Sequence, residues 1–337
     1  MNTRIVRVGQ VGIGNHGKTI VDAIRDAGNL QLISCFDINT AANQAVSAEF
    51  GARAAASYEE LVADPSIDAV VLVTPNYLHA EQVRKAFAVR KHVFVEKPIA
   101  NTVAEAKEMI ELAKRAGLTL MVGHNTRRRG VFRRAKALLD QRRIGKVVAV
   151  EANLSRPAGL QPGLPEWKAD PTKCLLLPMA QLGIHFVDTI AYLLGPISRV
   201  SCFAANVAMP GGVLDSTAAL LQMASGIPVA LTSYYVSADV YFLRIYGTEG
   251  TIHCSPLQLR LELLQNGELK ELHEEDFNSE GGQSFILQMR EFGECVLKGA
   301  RPETGGEEGL NALAAIEAMM RSVQTHSAVE VGDILHD

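Results

Sequence analysis

Paired cysteines are missing from this chain. Its five cysteines are odd in number, scattered, and include no CxxC pair; they are Cys35, Cys174, Cys202, Cys254 and Cys295. Such a set argues against both a disulfide framework and a zinc site. We therefore expect free thiols in a reducing compartment and no bound metal.

Long apolar runs and excess positive charge are missing too. No stretch is long enough to cross a bilayer, and the first residues lack the apolar core and cleavage site of a signal peptide. The formal net charge is -4, whereas phosphate binding needs clustered positive charge. The basic residues within 127–134 are interpreted mainly as a solvated helix face. These absences predict a soluble cytoplasmic protein that binds neither nucleic acid nor membranes.

The first part of the chain alternates short apolar runs with helix-length amphipathic segments. This rhythm is typical of a parallel sheet covered by helices on both faces, and it predicts a doubly wound α/β domain over residues 1–123. The apolar runs are Ile5–Val11, Leu30–Phe36, Ala69–Val73, His92–Val95 and Leu118–Val122.

The rhythm changes in the second part, which we assign to a second domain over residues 124–337. Six strand-like segments separated by turn signals predict an α+β domain with a large, mostly antiparallel open sheet. One helix is predicted at Ala180–Leu194, and the last helix and tail are expected to be able to pack back on the first domain. An open sheet with few helices has one face that its own helices do not cover. A second copy of the chain can cover it, which favours a homodimer or homotetramer.

A glycine motif follows the first apolar run. It is a G-x-G-x-x-G element that lies between a predicted strand and a predicted helix, and it reads Gly12-Ile13-Gly14-Asn15-His16-Gly17. In such a motif the first glycine permits a tight turn, the second lets the backbone approach a pyrophosphate, and the third lets the helix pack on the sheet. The pyrophosphate then lies at the positive end of the helix dipole.

An acid at the end of the second strand makes the motif more specific. Asp37 stands twenty positions after Gly17, where a carboxylate can hydrogen-bond the ribose hydroxyls of adenosine and repel a 2′-phosphate. The following residues supply no arginine that could hold such a phosphate. The alternative is that Asp37 only caps the next helix. NAD is thus favoured over NADP as the cofactor.

Polar residues follow two further strands of the first domain, at the edge where open α/β sheets bind ligands. Thr74-Pro75-Asn76 comes after one strand, and His79 opens the next helix, where a structural role outweighs a catalytic one. Glu96-Lys97-Pro98 comes after another strand. Lys97 would direct a cation into the crevice, although a surface ion pair is the alternative.

These residues resemble the glucose-fructose oxidoreductase, inositol dehydrogenase and rhizopine catabolism group, the Gfo/Idh/MocA family, over nearly the whole chain. Further matching motifs are Gly123-His124-Asn125 with Arg127, Ile144-Gly145-Lys146-Val147, Gly183-x-His185-x-x-Asp188 and Gly247-Thr248-Glu249-Gly250. The resemblance implies a Rossmann domain, a second domain with an open sheet, and oligomers formed through that sheet. It also implies that Lys97 and His185 flank the nicotinamide, and it places Thr74, Pro75, Asn76, His79 and Glu96 at the cofactor.

The helix near residue 185 is expected to carry the chemistry. Gln181, His185, Asp188 and Tyr192 recur at helical spacing and form one polar stripe on an otherwise apolar helix. A buried polar stripe needs partners or a ligand, and the alternative is a hydrogen-bonded core pair of His185 with Asp188. Because alcohol oxidation needs a proton acceptor, His185 is assigned as general acid/base, and Lys97 as the group that orients the hydroxyl.

The chain departs from the family at one important place. Many members carry an aspartate where Gln181 stands, and glutamine cannot take a proton. The remaining substrate contacts are expected from Asn125 and Arg127, and from Trp167, for which simple packing is the favoured interpretation. The leading prediction is an NAD-dependent oxidoreductase acting on a ring hydroxyl of a sugar or cyclitol. The alternatives are a lyase, hydrolase or epimerase that recycles its NAD, and a non-catalytic NAD-binding sensor.

Overall fold

The computed structural model describes residues 4–280 and 282–336, and the chain divides into two compact units. Unit 1 comprises Met1–Asn125 and Gly282–Leu310, and unit 2 comprises Thr126–Gly281 and Asn311–Asp337. The strands are β1 Val6–Val11, β2 Leu30–Phe36, β3 Arg53–Ala54, β4 Ala69–Leu72, β5 His92–Val95, β6 Leu120–Val122, β7 Val147–Ser155, β8 Ile197–Ala205, β9 Ser216–Met223, β10 Pro228–Tyr234, β11 Val240–Gly247, β12 Gly250–Cys254, β13 Gln258–Gln265, β14 Glu268–Asp276 and β15 Val329–Glu330. The helices are α1 Asn15–Ala27, α2 Thr40–Phe50, α3 Tyr58–Ala63, α4 His79–Ala88, α5 Val103–Ala116, α6 Gly130–Asp140, α7 Glu166–Ala169, α8 Ile184–Leu194, α9 Gln283–Lys298, α10 Gly306–Thr325 and α11 Val331–His336.

Unit 1 is built on a six-stranded parallel sheet in the order β3-β2-β1-β4-β5-β6. All four residues of β4 are buried, as expected for a central parallel strand with both faces covered. Helix α1 buries one apolar stripe, which includes Ile20 and Ile24, in the same core as β1 and β2. The predicted doubly wound α/β fold is confirmed.

A late segment of the chain completes unit 1. Met289 and Phe292 on α9 are fully buried in the core that α1 also enters, and Phe292 makes an edge contact with Phe94 of β5. Residue 304 hydrogen-bonds the backbone of β6, with Val122 N donating to Thr304 O at 2.8 Å. Residues 282–310 therefore belong with the first unit, whereas the sequence placed them in the second domain and ended the first at residue 123.

Over the described residues, unit 2 is built on a nine-stranded sheet in the order β14-β13-β12-β11-β7-β10-β9-β8-β15, in which β7 and β10 are parallel and the other neighbours are antiparallel. The predicted mostly antiparallel open sheet is confirmed. Along β9, buried and exposed residues alternate from Thr217 to Met223, as on a strand with one covered face. The other face leaves Phe203 77% exposed and Leu220 64% exposed.

Two parts of unit 2 differ from the prediction. The predicted helix at Ala180–Leu194 is α-helical only from Ile184, because Met179–Gly183 form a π-helical turn. Strands β12 and β14 were not predicted. The sequence of β14 is dominated by charged residues, which suits an edge strand, but such a strand is not found by a search for apolar runs.

A buried carboxylate fixes one loop of unit 2. Asp215 is fully buried and accepts hydrogen bonds from the backbone N–H groups of Val207, Ala208 and Met209 at 2.8–3.0 Å. Burial raises the pKa of Asp215, but these bonds to the charged form outweigh it and hold the pKa below its ordinary value. The carboxylate thus stabilises the loop only while it is ionised.

Within the described ranges, every helix falls short of the length and hydropathy that a membrane span requires. All five cysteines are buried as free thiols. Over the same residues no group of three or more histidine, cysteine or acidic side chains is arranged to hold a metal ion.

Candidate functional site

The glycine loop between β1 and α1 has the geometry of a dinucleotide cradle. A Cβ atom at Gly12 would lie 2.3 Å from Val73 O, and one at Gly17 would lie 2.2 Å from Gly12 O, so neither position accepts a side chain. Gly14 has room for a side chain, because nothing lies within 4 Å of its ideal Cβ position. The N-terminus of α1 has no side-chain cap and no acidic residue in its first turn, which leaves its N–H groups for an anion. The loop fits a pyrophosphate.

A glutamine that the sequence analysis did not select holds this loop in place. Gln10 is fully buried, and its Nε2 donates to Gly12 O at 3.0 Å and to Gly17 O at 2.7 Å. One amide group thus ties together both ends of the turn. The available signal was a polar residue in strand β1, two positions before the motif.

Asp37 links the glycine loop to the second strand. Its carboxylate accepts from Ile13 N at 2.5 Å and from Asn39 N at 2.7 Å. The cap of α2 is Asn39, whose side chain accepts from Ala42 N, so Asp37 does not take that role. These two backbone bonds fix the orientation of the half-buried carboxylate beside the loop. Its position matches the role proposed for it at the adenosine ribose.

Glu96 forms a buried acid beside the same loop. Its Oε1 lies 3.0 Å from His16 Nε2, and its Oε2 accepts from Lys97 N at 3.2 Å. Burial raises the pKa of Glu96, but the neighbouring His16 and Lys97 charges outweigh it and lower the pKa below the ordinary value. For His16, burial lowers the pKa and the Glu96 carboxylate more than offsets this, so the pKa is raised. A Cβ at Gly123 would lie 2.7 Å from Glu96 Oε1, so Gly123 makes room for this carboxylate.

His79 is a structural bridge between two of the loops. It is fully buried, and its ring nitrogens lie 2.9 Å from Thr74 O and 2.9 Å from Pro98 O. Burial lowers the pKa of His79, and the hydrogen bonds to these two carbonyls oppose that shift. With both nitrogens against the backbone, His79 positions the loops that carry Thr74 and Lys97. Asn76 similarly donates to Asn101 Oδ1 at 3.0 Å.

Arg127 forms a buried ion pair within unit 2. Its Nε donates to Asp188 Oδ2 at 2.9 Å and its Nη2 to Asp188 Oδ1 at 2.6 Å, and both side chains are buried. The guanidinium also lies over the ring of Tyr192, 5.3 Å from its centroid. Arg127 thus fixes helix α8 through a bidentate ion pair.

His185 lies one turn before Asp188 on α8 and has a different partner. Its Nδ1 lies 3.1 Å from the hydroxyl of Thr126, which is buried in the 3₁₀ turn Thr126–Arg128. Asp188, in contrast, accepts the two hydrogen bonds from Arg127 described above. The sequence analysis missed Thr126, although its place between two selected residues, Asn125 and Arg127, was a signal.

The remaining residues that were predicted to contact substrate are Gln181, Trp167 and Asn125. Gln181 lies in the π-helical turn that precedes α8, and its Nε2 lies 3.6 Å from Cys174 Sγ. The ring of Trp167 packs against an apolar cluster that includes Cys174, and Lys168 Nζ lies 5.6 Å from its centroid, which gives Trp167 a packing role. In unit 1, Asn125 is buried and donates to Ser284 Oγ at 2.9 Å.

Two family models match the chain in succession. The first, for the oxidoreductase family with an NAD-binding Rossmann fold, matches residues 6–124. The second, for the Gfo/Idh/MocA C-terminal domain, matches residues 132–253. Both units thus contain a match, and together the models cover most of the chain.

Individual relatives span almost the whole chain. The 1,5-anhydro-D-fructose reductase of Ensifer adhaerens is 26% identical over 93% of this chain and 94% of its own length. The D-xylose 1-dehydrogenase (NADP(+)) of Haloarcula marismortui is 28% identical over 97% of this chain and 93% of its own. Among solved structures, the WlbA dehydrogenase from Bordetella pertussis, in complex with NADH and UDP-GlcNAcA, has a TM-score of 0.87 and 25% identity over 98% of this chain and 99% of its own.

Proposed function

Because this chain belongs to the Gfo/Idh/MocA oxidoreductase family, we propose that it transfers a hydride between a nicotinamide cofactor and a ring hydroxyl or ketone of a sugar, sugar derivative or cyclitol. The observation that carries the proposal is the glycine loop. Two of its glycines are required by backbone contacts, whereas Gly14 is required by nothing in the protein itself. A position kept open above a helix N-terminus is suited to a bound pyrophosphate.

NAD is the proposed cofactor, and when bound it supplies the hydride acceptor or donor. The glycine loop and the N-terminus of α1 bind its pyrophosphate, and Asp37 binds the adenosine ribose. The residues after Asp37 are Ile38, Asn39 and Thr40, none of which offers a cation to a 2′-phosphate. The loops after β4 and β5, which carry Thr74 and Lys97, complete the proposed cofactor site.

His185 and Lys97 carry the proposed chemistry of the protein. When an alcohol is oxidised, the hydroxyl proton must leave with a base, and an imidazole suits this role near neutral pH. His185 takes that proton and returns it in the reductive direction. Lys97 donates hydrogen bonds to the reacting oxygen and stabilises the negative charge that develops on it.

Substrate contacts are proposed for Gln181 and Asn125, both amides that donate and accept hydrogen bonds. Such groups suit sugar hydroxyls and do not discriminate by charge. A carboxamide at position 181 adds no negative charge to the site, so the proposed proton exchange rests on His185 alone.

The proposal includes an oligomer and a cellular location. The open face of the nine-stranded sheet carries exposed apolar residues, among them Phe203 and Leu220, and a second copy of the chain would cover them. We expect a homodimer or homotetramer. The free thiols of all five cysteines suit a reducing cytoplasm.

The test is a turnover assay read by nicotinamide absorbance. Purified protein is mixed with NAD⁺ and a panel of inositols, aldoses, sugar acids and nucleotide sugars, and with NADH and the corresponding ketones. We expect NADH to appear or disappear with one class of substrate. In the His185→Ala variant, turnover should fall by about 10²- to 10⁴-fold while NADH binding persists.

The matched control is His336→Ala, which removes an exposed histidine from the short helix α11. This variant should keep wild-type turnover. Near-normal turnover in His185→Ala would remove the assigned mechanism. A change in substrate mass without net NADH would identify a lyase, hydrolase or epimerase that recycles its cofactor, and NADH binding without any conversion would identify a sensor.

A further inference from the structure

We infer that Thr126 is the positioning residue of His185, and that its hydroxyl accepts the Nδ1 proton so that Nε2 exchanges protons with the substrate. This catalytic consequence rests on the function proposed above. The hydrogen bond itself does not, because both residues lie in unit 2 and are described without any ligand.

The geometry around His185 depends on two adjacent residues that both contact helix α8. Arg127 binds Asp188, and Thr126 lies 3.1 Å from His185 Nδ1, one turn earlier on the same face of α8. Thr189 further fixes the backbone of this turn, since its Oγ1 donates to His185 O at 2.7 Å. The ion pair therefore sets the position of the helix, and the hydroxyl sets the orientation of the ring.

The chemistry follows from the two nitrogens of imidazole. Proton exchange at Nε2 requires a proton on Nδ1 both in the neutral base and in the charged ring. A group that accepts from Nδ1 in both states orients the ring throughout the cycle, as a third residue does in a nucleophile–base arrangement. The hydroxyl of Thr126 lies 3.1 Å from Nδ1, at the distance this task requires, and we assign the task to it.

Thr126 is nearly fully buried, which makes the partnership specific. A valine in its place keeps the shape of the side chain and removes the acceptor. A serine keeps the hydroxyl and removes a methyl group. These two variants separate the hydrogen bond from the packing of the side chain.

The experiment combines ¹⁵N NMR of histidine-labelled protein with kinetics. His185 signals are assigned by their absence in the His185→Asn variant. We expect neutral His185 in the wild type to carry its proton on Nδ1, and Thr126→Val to shift the population toward the Nε2 tautomer that free imidazole side chains prefer. In turnover, Thr126→Val should lower kcat about tenfold with KM and NADH affinity unchanged, and Thr126→Ser should restore kcat to within about threefold of wild type.

Thr189→Val is the matched control, because it removes a buried hydroxyl from the same helix that contacts the backbone of His185 and not its ring. It should leave the tautomer unchanged. An Nε2 tautomer in the wild type, or equal impairment of Thr126→Ser and Thr126→Val, would overturn the inference. If the substrate panel yields no turnover, the proposed function fails, and the wild-type NMR spectrum still decides the role of Thr126.

Discussion

Replacement of Gly14 by alanine separates cofactor binding from folding. The residue has φ of -59° and ψ of -176°, a conformation that alanine adopts, and its ideal Cβ meets nothing within 4 Å. The folded protein therefore accepts the methyl group, and the loss of unfolded-state entropy stabilises it by about 0.4–1 kcal/mol. The same methyl group occupies the space into which the pyrophosphate must come. We expect NADH affinity to fall at least about tenfold, which corresponds to about 1.4 kcal/mol.

The fall in NADH affinity is measured by thermal unfolding with and without NADH, together with a fluorescence titration. At a hundred times the wild-type Kd, NADH stabilises the wild type by about 2.7 kcal/mol, and a tenfold weaker variant by about 1.4 kcal/mol. The apo variant should unfold at or slightly above the wild-type temperature. Gly17→Ala provides the contrast, since its Cβ would lie 2.2 Å from Gly12 O and should destabilise the apo protein by about 1–3 kcal/mol.

Gly332→Ala is the control for the alanine itself, because Gly332 lies in α11 and its Cβ position is also open. It should raise stability without changing NADH affinity. Wild-type affinity in Gly14→Ala would refute the assignment of the cradle. An unfolded Gly14→Ala protein would refute the conclusion that the space is empty of protein.

Three further predictions concern charges. Arg127→Met should lower the free energy of unfolding in urea by about 3–5 kcal/mol, because it leaves the carboxylate of Asp188 buried without the Arg127 cation. Adding Asp188→Leu should restore most of the loss. A double variant as unstable as the single one would contradict this account. The pKa of Asp215 is lowered in the folded protein, so its stabilisation is complete above the unfolded pKa near 3.9 and is lost as pH falls through the folded value. The stability difference between wild type and Asp215→Asn should therefore shrink in acid, and a difference that stays constant to low pH would show that the carboxylate is not responsible. Asp37→Ala combined with Ile38→Arg should weaken NADH binding about tenfold and strengthen NADPH binding, as measured by titration; unchanged selectivity would place the adenosine ribose elsewhere.

The first unit was predictable wherever local sequence decides structure. The glycine spacing, the apolar strands and the acid after β2 each follow from rules that act within a few residues. The two hydrogen bonds that the side chain of Gln10 donates within the glycine loop were not predicted. Their acceptors are backbone carbonyls whose positions depend on the folded turn. The bridge formed by His79 was partly predicted, since a helix-terminal structural role was already favoured for it.

The second unit shows why a helical stripe was only partly informative. The spacing correctly brought His185, Asp188 and Tyr192 to one face, where they meet residues 126–133. It did not predict the π-helical turn that contains Gln181, because no residue pattern identifies such a turn. The ion pair of Arg127 with Asp188 joins residues 61 positions apart, so local periodicity carries no information about it.

The return of residues 282–310 to the first unit has a consequence for synthesis of the protein. A nascent chain that has just emerged through residue 125 contains the entire cofactor motif. Met289 and Phe292, which pack against the sheet of this unit, are still to be translated. Until Met289 and Phe292 leave the ribosome, the apolar surface that they cover on the sheet and on α1 is exposed to water. The cofactor-binding unit is therefore finished only after strands β7 to β14 of the other unit have been made, and an expressed fragment that stops at residue 125 should be an aggregation-prone, incomplete domain.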